Sequence, residues 1–245
     1  MIHSRFAALL SAPLLALTLA SCTCDDHRTV RGNGPDEIET RAVIDLTRLS
    51  VSQNMEVYLT QGATPELRLE APRNVLAVLR TETVGGELRI GTPDGINLRL
   101  QHPVRVYLTL PRLTALSGSG ATHFHTTTGW SVADLTLTLS GASTADLNLT
   151  ATGALRTEAS GASRVTVHGT SGQQTIRLSG ASALDAFDLT HTTADIDASG
   201  ASQAHLTVSS ALAVRASGAS QVYYRGSPTL TTTELSGGSQ LVKVD

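Results

Sequence analysis

A four-residue motif recurs through the second half of the chain at nearly constant spacing. The motif reads Ser-Gly, then Ala or Gly, then Ser or Thr. Its glycines are Gly120, Gly141, Gly161, Gly180, Gly200, Gly218 and Gly237, so the successive intervals are 21, 20, 19, 20, 18 and 19 residues. Similarity at a fixed period is the signature of a repeat architecture. Each copy should therefore mark the same turn in a structural unit of about twenty residues.

Apolar residues alternate with polar ones on both sides of each repeated glycine. They recur two and four residues before it and four and six residues after it, as Leu137, Leu139 and Leu147 do around Gly141. An alternation with a period of two predicts β-strands that bury one face. Each repeat should therefore contain two short strands joined by a bend at the motif.

The length of the repeat suits one closed coil of chain. At about 3.3 Å per residue, twenty residues trace a path of roughly 66 Å. The sequence therefore predicts an all-β fold, a right-handed parallel β-helix or β-solenoid of about 20-residue coils, stacked roughly 4.8 Å apart. An antiparallel β-sandwich is the alternative, because it also consists of short strands and turns. A sandwich, however, gives no reason for one tetrapeptide at a fixed interval.

One outward position supports the stacking of coils in register. Three residues before the glycine, the chain carries Glu158, Arg177, Asp197, Arg215 and Glu234, whose charges alternate in sign. In stacked coils each charge would lie beside opposite charges in the coils above and below, which is favourable. In a sandwich of hairpins these residues would not be neighbours.

The N-terminus has the sequence of an export signal over residues 1–21. A basic start at Arg5 precedes an apolar run from Phe6 to Leu19, which is too short to span a bilayer as a stable helix. The run ends in Leu-Ala-Ser-Cys22, which resembles the lipobox of bacterial lipoproteins. That resemblance implies cleavage before Cys22, lipid on its thiol and attachment to a membrane, with Thr23 favouring the outer membrane. An ordinary secretory signal with a nearby cysteine is the alternative.

Three further segments follow the predicted signal peptide. Residues 22–40 are polar and contain an Asn-Gly-Pro breaker, which predicts a flexible tether behind the lipidated cysteine. Residues 41–116 alternate apolar and polar residues between Gly and Pro breaks, so we expect strands that form broader coils or cap the array. Residues 117–245 are the predicted repeat solenoid.

Composition argues against two classes of function. The net charge of −3 opposes a nucleic-acid partner, which requires a basic footprint. The two cysteines, Cys22 and Cys24, cannot supply a disulfide framework. No motif predicts a cofactor or an oligomeric state.

The repeated serines invite a catalytic interpretation, but their context opposes it. A nucleophile elbow reads Gly-x-Ser-x-Gly on a strand-to-helix turn and is needed only once. We therefore predict a structural motif and no catalytic residues. The glycine would allow a positive φ or a close backbone approach, the alanine would fit a tight inner corner, and the serine hydroxyls would satisfy turn amides.

Paired carboxylates are the candidates for an enzyme. A polysaccharide-acting β-helix enzyme needs clustered carboxylates in a groove formed by loops. The candidates are Asp195 with Asp197, and Asp185 with Asp188. The repeat intervals vary by only three residues, so no coil carries the long insertion that such a groove requires.

Histidines and aromatic residues are the candidates for metal or sugar binding. His123 and His125 lie two residues apart and offer two metal ligands, but the alternation places Phe124 inward and predicts solvent-facing histidines without a metal. Trp130 and then Tyr223 are the aromatics on which a sugar would stack. A single tryptophan at a turn more often packs as a cap.

The order of several segments resembles a known bacterial family. "VSQNMEVYLTQG", "VGGELRIG" and "VRVYLTLPRLTALSGSGA" precede the repeated "SGAS" over roughly residues 42–227. In this order they resemble the domain called putative auto-transporter adhesin, head GIN domain. The resemblance implies a β-helix-like domain on an exported protein, often a lipoprotein, without an assigned enzymatic activity. It transfers no binding residues.

Together these features predict a non-enzymatic lipoprotein of the bacterial cell envelope with a binding or structural β-solenoid. We expect a membrane partner through lipid on Cys22, and a polysaccharide or protein ligand at the outward face. Two alternatives stay open, a polysaccharide-acting enzyme and an envelope-maintenance lipoprotein that faces the periplasm.

Overall fold

A computed structural model describes residues 28–245, so Cys22 and the predicted signal peptide lie outside the described residues. In chain order the elements are β1 (Arg28–Arg31), β2 (Asp36–Arg41), β3 (Arg48–Gln53), β4 (Met55–Gln61), β5 (Glu66–Pro72), α1 (Arg73–Leu76), β6 (Arg80–Val84), β7 (Glu87–Gly91), β8 (Ile96–Arg99), β9 (Val104–Leu110), β10 (Ala115–Gly120), β11 (His123–Thr126), β12 (Trp130–Val132), β13 (Leu135–Leu139), β14 (Thr144–Ala159), β15 (Arg164–Leu178), β16 (Ala183–Ala198), β17 (Gln203–Ala216), β18 (Gln221–Arg225), β19 (Thr229–Leu235) and β20 (Gln240–Lys243). The all-β prediction is confirmed. Among these residues no helix is long and apolar enough to cross a membrane.

From β13 onward the chain winds as a β-solenoid. Strands β14, β15, β16 and β17 pair in parallel, each with the strand one repeat later, so that Leu147 lies beside Val167. The β14–β15 and β15–β16 ladders are each interrupted by one register shift, and the β16–β17 ladder by two. The parallel pairing confirms the solenoid and excludes the antiparallel sandwich for this half of the chain.

The predicted inward positions form one continuous core. Leu137, Leu139 and Leu147 are buried, and Phe124 is the largest of the fully buried side chains. Because each coil contributes the same positions, apolar contacts run from coil to coil along the axis. Burial of this column stabilises the stack in place of disulfides.

The motif glycines sit at the corner of each coil, where the backbone lies directly against the neighbouring coil. Their φ angles lie between 68° and 76°, a range that favours glycine. A Cβ on Gly180 would lie 2.7 Å from the carbonyl oxygen of Gly161 in the preceding coil. That oxygen accepts a hydrogen bond of 2.7 Å from the amide of Ala181. Both the backbone conformation and the close approach therefore require glycine.

The other motif residues have different roles from those predicted. The final serine is buried, and its hydroxyl donates to the carbonyl three residues earlier, as Ser163 does to Ser160 at 2.8 Å. The prediction that this hydroxyl satisfies a turn amide holds at Ser239, which accepts from the Ser236 amide at 3.1 Å. In the earlier coils the corner amides instead pair with the preceding coil. The predicted inner position of the alanine is wrong, since Ala162 and Ala181 are exposed on the outside of the corner.

Strands of the N-terminal half form further coils, whose order in space differs from their order in the chain. The same half also covers the end of the stack. Strand β3 lies between β10 and β7, and β4 lies between β11 and β9, all in parallel. Beyond them β5 runs antiparallel to β9, and β6 runs antiparallel to β7. The parallel array therefore ends in antiparallel strands, which we call the N-terminal cap (β2, β5 and β6). In the coil of β3 and β4, Gln53 takes the corner position with φ 77°.

Residues 28–40 do not form the flexible tether that their polar sequence predicts. Strand β1 pairs in parallel with β8, and β2 pairs antiparallel with β5. The side chain of Asn74 ties the loop between them, accepting from the Asn33 amide at 3.0 Å and donating to the Arg31 carbonyl at 2.6 Å. Both strands are mostly exposed, so they lack the apolar alternation by which a strand is recognised in sequence.

One histidine lies inside the solenoid. His191 is 1% exposed, and its register partners are Ser171 and Val208 in the neighbouring coils. Burial lowers the pKa of His191 to about 4, and neither ring nitrogen has a hydrogen-bond partner among the described residues. The folded chain therefore holds this imidazole in its neutral form at pH 7.

We expect Gly180→Ala to lower the free energy of unfolding by at least about 2 kcal/mol, because it adds strain at a positive φ and a clash with a backbone oxygen. The control is Gly129→Ala, since a Cβ at Gly129 meets nothing within 4 Å. Urea unfolding followed by circular dichroism measures both variants. Equal stability of the two would contradict the proposed role of the corner.

We expect His191 to make the chain less stable in acid. Its pKa is about 6.5 when unfolded and about 4 when folded, so its contribution is complete above pH 6.5 and falls as the pH drops towards 4. The loss amounts to about 2 kcal/mol between pH 7.5 and pH 5. Urea unfolding at both pH values should show a smaller pH dependence for His191→Leu than for the wild type. The same dependence in both proteins would be inconsistent with this role.

Candidate functional site

The predicted column of alternating charges forms on the outer surface. Along the ladder, Glu158 lies beside Arg177, Arg177 beside Asp197, Asp197 beside Arg215, and Arg215 beside Glu234. We call these five residues the charge column. Thr138 continues the column towards the N-terminal cap. The in-register stacking predicted from the charges is confirmed.

Not all charges in the column pair with their register neighbours. Arg177 Nη1 lies 3.2 Å from Glu158 Oε1, and Arg215 Nε lies 3.8 Å from Glu234 Oε2. Arg215 also binds Asp195 diagonally, with Nη1 3.2 Å from Oδ1. Within residues 28–245, no cationic group lies within 4 Å of the Asp197 carboxylate, so this acceptor is available to a ligand.

A shallow groove runs along the solenoid axis between the charge column and the first serine of each motif. Its first section has a volume of about 350 Å³ and its second about 510 Å³. Asp197 lines both sections, so the two adjoin at this residue. We call the two sections the axial groove. Its polar lining consists of the charge column together with Thr138, Thr233, Ser160, Ser179, Ser199, Ser217 and Ser236.

A second outward column carries aromatic rings that stack between coils. Phe187 and His205 lie with ring centroids 4.7 Å apart and nearly parallel, and Tyr223 meets His205 edge-on at 5.3 Å. The guanidinium of Arg225 lies 4.1 Å from the centroid of Phe187. Because the rings pack against one another and against Arg225, they stabilise the stack rather than present an open sugar platform.

Sequence reasoning identified only part of this aromatic cluster. His205 and Tyr223 both stand five residues after a motif glycine, so their adjacency follows from the repeat. Phe187 stands seven residues after its glycine, within the register shift between Ala186 and Thr190. The register shift in this coil brings Phe187 beside His205, a position that the repeat spacing does not predict.

The paired histidines point outward, as the alternation predicts. His123 Nδ1 lies 2.7 Å from the Thr144 hydroxyl, and His125 Nε2 lies 3.8 Å from Glu56. In the part of the chain that the structure describes, no three His, Cys, Asp or Glu side chains are grouped to hold a metal ion.

The two candidate pairs of carboxylates occupy different outward faces. Asp195 and Asp197 stand beside the axial groove, where Asp195 pairs with Arg215. Asp185 and Asp188 instead face histidines, at 3.8 Å from His205 and 3.5 Å from His168. The structure therefore does not bring the four carboxylates together into one site.

Trp130 packs inside the solenoid and is unavailable to a sugar. It is 3% exposed, and its indole Nε1 donates to the Leu59 carbonyl at 3.4 Å. The apolar cavity beside it holds only about 10 Å³, lined by Trp130, Leu59 and neighbouring leucines. That space is too small for an acyl chain.

Comparison with known proteins places these features in a family and a fold. A family model described as putative auto-transporter adhesin, head GIN domain, matches residues 45–228. A search of the curated proteins finds no match to the chain.

Several solved structures have the same fold. A putative adhesin from Bacteroides fragilis is similar with a TM-score of 0.82 and 18% identity, covering 88% of this chain and 100% of that one. A putative lipid binding protein from Parabacteroides distasonis has a TM-score of 0.75 and 18% identity over 89% and 100% of the two chains. A putative adhesin from Parabacteroides merdae has a TM-score of 0.66 and 14% identity over 89% and 99%. At these identities the similarity demonstrates the fold alone.

We expect Arg177→Glu to lower the free energy of unfolding by about 1 kcal/mol, since it places three like charges in adjacent coils. Arg156→Glu is the matched control, because its register partners are the uncharged Thr136 and Thr175. Thermal and urea unfolding of both variants measure the difference. The two variants change the net charge equally, so equal losses of stability would contradict a specific role for the charge column.

Proposed function

Because the chain belongs to the family of putative auto-transporter adhesins, head GIN domain, we propose that it is a non-enzymatic binding module of the bacterial cell envelope. The observation that carries this proposal is the axial groove. It lies on stacked coils whose backbones are hydrogen-bonded at every corner, and rigid supporting elements suit a recognition surface. The names of the similar adhesin structures are consistent with this role.

The groove supports binding better than catalysis. A glycoside-cleaving enzyme needs two carboxylates that flank the scissile bond, one as acid and one as base or nucleophile. Asp195 is paired with Arg215, and the second candidate pair lies on another face beside histidines. These contacts favour a binding role over the polysaccharide-acting enzyme.

Lipid on Cys22 would hold the module to the membrane. The position of β1 then determines which end of the solenoid lies near the membrane. Only five residues separate Cys22 from Arg28, the first residue of β1. Strand β1 contacts α1 and pairs with β8, in the same half of the chain as the N-terminal cap. The axial groove is formed by later coils, so it would lie farther along the solenoid from the lipid than the cap does.

The structural similarity to a lipid binding protein does not point to a lipid ligand here. A lipid carrier needs an apolar cavity that buries most of its ligand. The apolar cavity beside Trp130 holds about 10 Å³, and the axial groove is lined by charges and hydroxyls. We therefore propose that lipid is attached covalently at Cys22 and is not the ligand that the module binds.

The anchor is tested by metabolic labelling with radioactive palmitate in a Gram-negative host. We expect the wild-type chain to be labelled and to fractionate with membranes, and Cys22→Ala to lose both the label and the membrane fraction. Cys24→Ala should behave as the wild type and serves as the matched control. An unlabelled wild-type chain, or a label that depends on Cys24, would overturn the assignment of Cys22.

The binding role is tested by adhesion of the same cells. Cells that express the wild-type chain should adhere to mucin-coated surfaces or to one another more than cells that carry the empty vector, and externally added protease should remove the effect. Equal adhesion of the two kinds of cell would refute the binding role. Depolymerisation of polysaccharide by the purified chain, lost in Asp197→Asn, would establish the enzyme instead.

A further inference from the structure

We propose that the axial groove binds a linear, uncharged polysaccharide that lies parallel to the solenoid axis. The inference rests on the proposed binding function and adds the site, the ligand class and the ligand's orientation. Three properties of the groove support the inference: the hydrogen-bonding groups that line it, its net charge, and the distance at which its lining residues repeat.

The groove lining suits hydroxyl groups. Serine hydroxyls can donate and accept hydrogen bonds, guanidinium groups donate, and carboxylates accept. Ser160 and Ser199 already donate to backbone carbonyls at 3.4 Å, so they offer a ligand their acceptor lone pairs. Each coil presents one member of the charge column beside one motif serine, as Arg177 stands beside Ser179. A sugar ring carries hydroxyls that donate and accept, so it can satisfy both sides of this lining at once.

The charge of the groove disfavours ionic polymers. Its lining holds three carboxylates, Glu158, Asp197 and Glu234, against the two guanidinium groups of Arg177 and Arg215. Asp195 adds a further carboxylate beside Arg215. Polyanions such as nucleic acid or polyuronate would meet a surface with excess negative charge, which repels them. A polycation would gain at Asp197 alone, because Glu158, Glu234 and Asp195 are already paired with Arg177 or Arg215.

The repeat distance of the groove matches a chain of sugar rings. Successive coils are stacked about 4.8 Å apart, so five members of the charge column extend over roughly 19 Å. One pyranose ring in an extended glycan advances by about the rise of one coil. Because the charges alternate in sign, the lining repeats in every second coil, and a glycan along the axis can make the same contacts with every second ring. A ligand lying across the coils cannot do this.

The groove is largely organised before a ligand arrives. The ion pairs from Glu158 to Arg177 and from Arg215 to Asp195, at 3.2 Å each, favour one orientation of these side chains. Less side-chain freedom is then lost on binding. Asp197, at the junction of the two sections, has its carboxylate free of ion pairs in the described chain and is the acceptor we assign to a sugar hydroxyl.

The test measures binding of defined hexasaccharides to the full chain by isothermal titration calorimetry. The uncharged probes are cellohexaose, xylohexaose and mannohexaose, and hexagalacturonate is the anionic comparison. We expect at least one uncharged probe to bind with an affinity that changes little between 50 and 500 mM salt, and hexagalacturonate to bind at least tenfold more weakly.

Two pairs of variants locate the site. Ser179→Tyr fills the groove from an exposed position and should weaken binding at least tenfold, whereas Thr170→Tyr, at an exposed position away from the groove, should bind as the wild type. Asp197→Asn should weaken binding by about fivefold, and Asp188→Asn on the histidine face should not. Circular dichroism and unfolding midpoints confirm that each variant is folded.

The outcomes separate this inference from the proposed function. Wild-type binding by Ser179→Tyr would place the site elsewhere, and binding of hexagalacturonate alone would refute the ligand class. Failure of all three uncharged probes would overturn the inference, while adhesion of expressing cells would leave the binding function in place. Loss of both adhesion and glycan binding would refute the two together.

Discussion

The close approach of successive coils at the glycine corner is the contact on which the rest of the structure depends. At Gly180 the backbone approaches the previous coil so closely that a Cβ would lie 2.7 Å from a carbonyl oxygen. The amide of the next residue, Ala181, uses that approach to donate a hydrogen bond of 2.7 Å. Since the corner repeats in every coil, it sets the register of the strands on either side. A shift of one residue at this point would move the inward side chains of that coil outward.

The register determined at the corner also decides which outward side chains of neighbouring coils lie beside one another. Residues at one distance from the glycine stack into columns, so a sequence of charges at that position becomes a line of alternating charges along the axis. The same geometry places the motif serines in a parallel line. The axial groove is therefore a consequence of the repeat, and its chemistry is set by which residues occupy two positions of each coil.

Regular positions could be predicted from sequence, and irregular ones could not. The inward leucines, the charge column and the outward histidines follow from counting residues from each glycine. Phe187 lies in a register shift, and counting therefore misplaces it. Strands β1 and β2 are mostly exposed and lack alternation, so they escape recognition. Counting residues from the glycine also does not show that Asp195, rather than Asp197, makes the 3.2 Å contact with Arg215.

The sequence by itself determined the all-β class, the coil length, the inward and outward faces and the order of charges along one column. These properties depend on local periodicity. Because the same alternation recurs in each repeat, it can be recognised even though one copy alone would be ambiguous. The tertiary structure alone decided the spatial order of the N-terminal strands, in which β3 and β4 lie between strands that follow them in the chain. It also decided which charges pair and that a groove exists beside them. These features arise from contacts between residues distant in sequence, which no local pattern encodes.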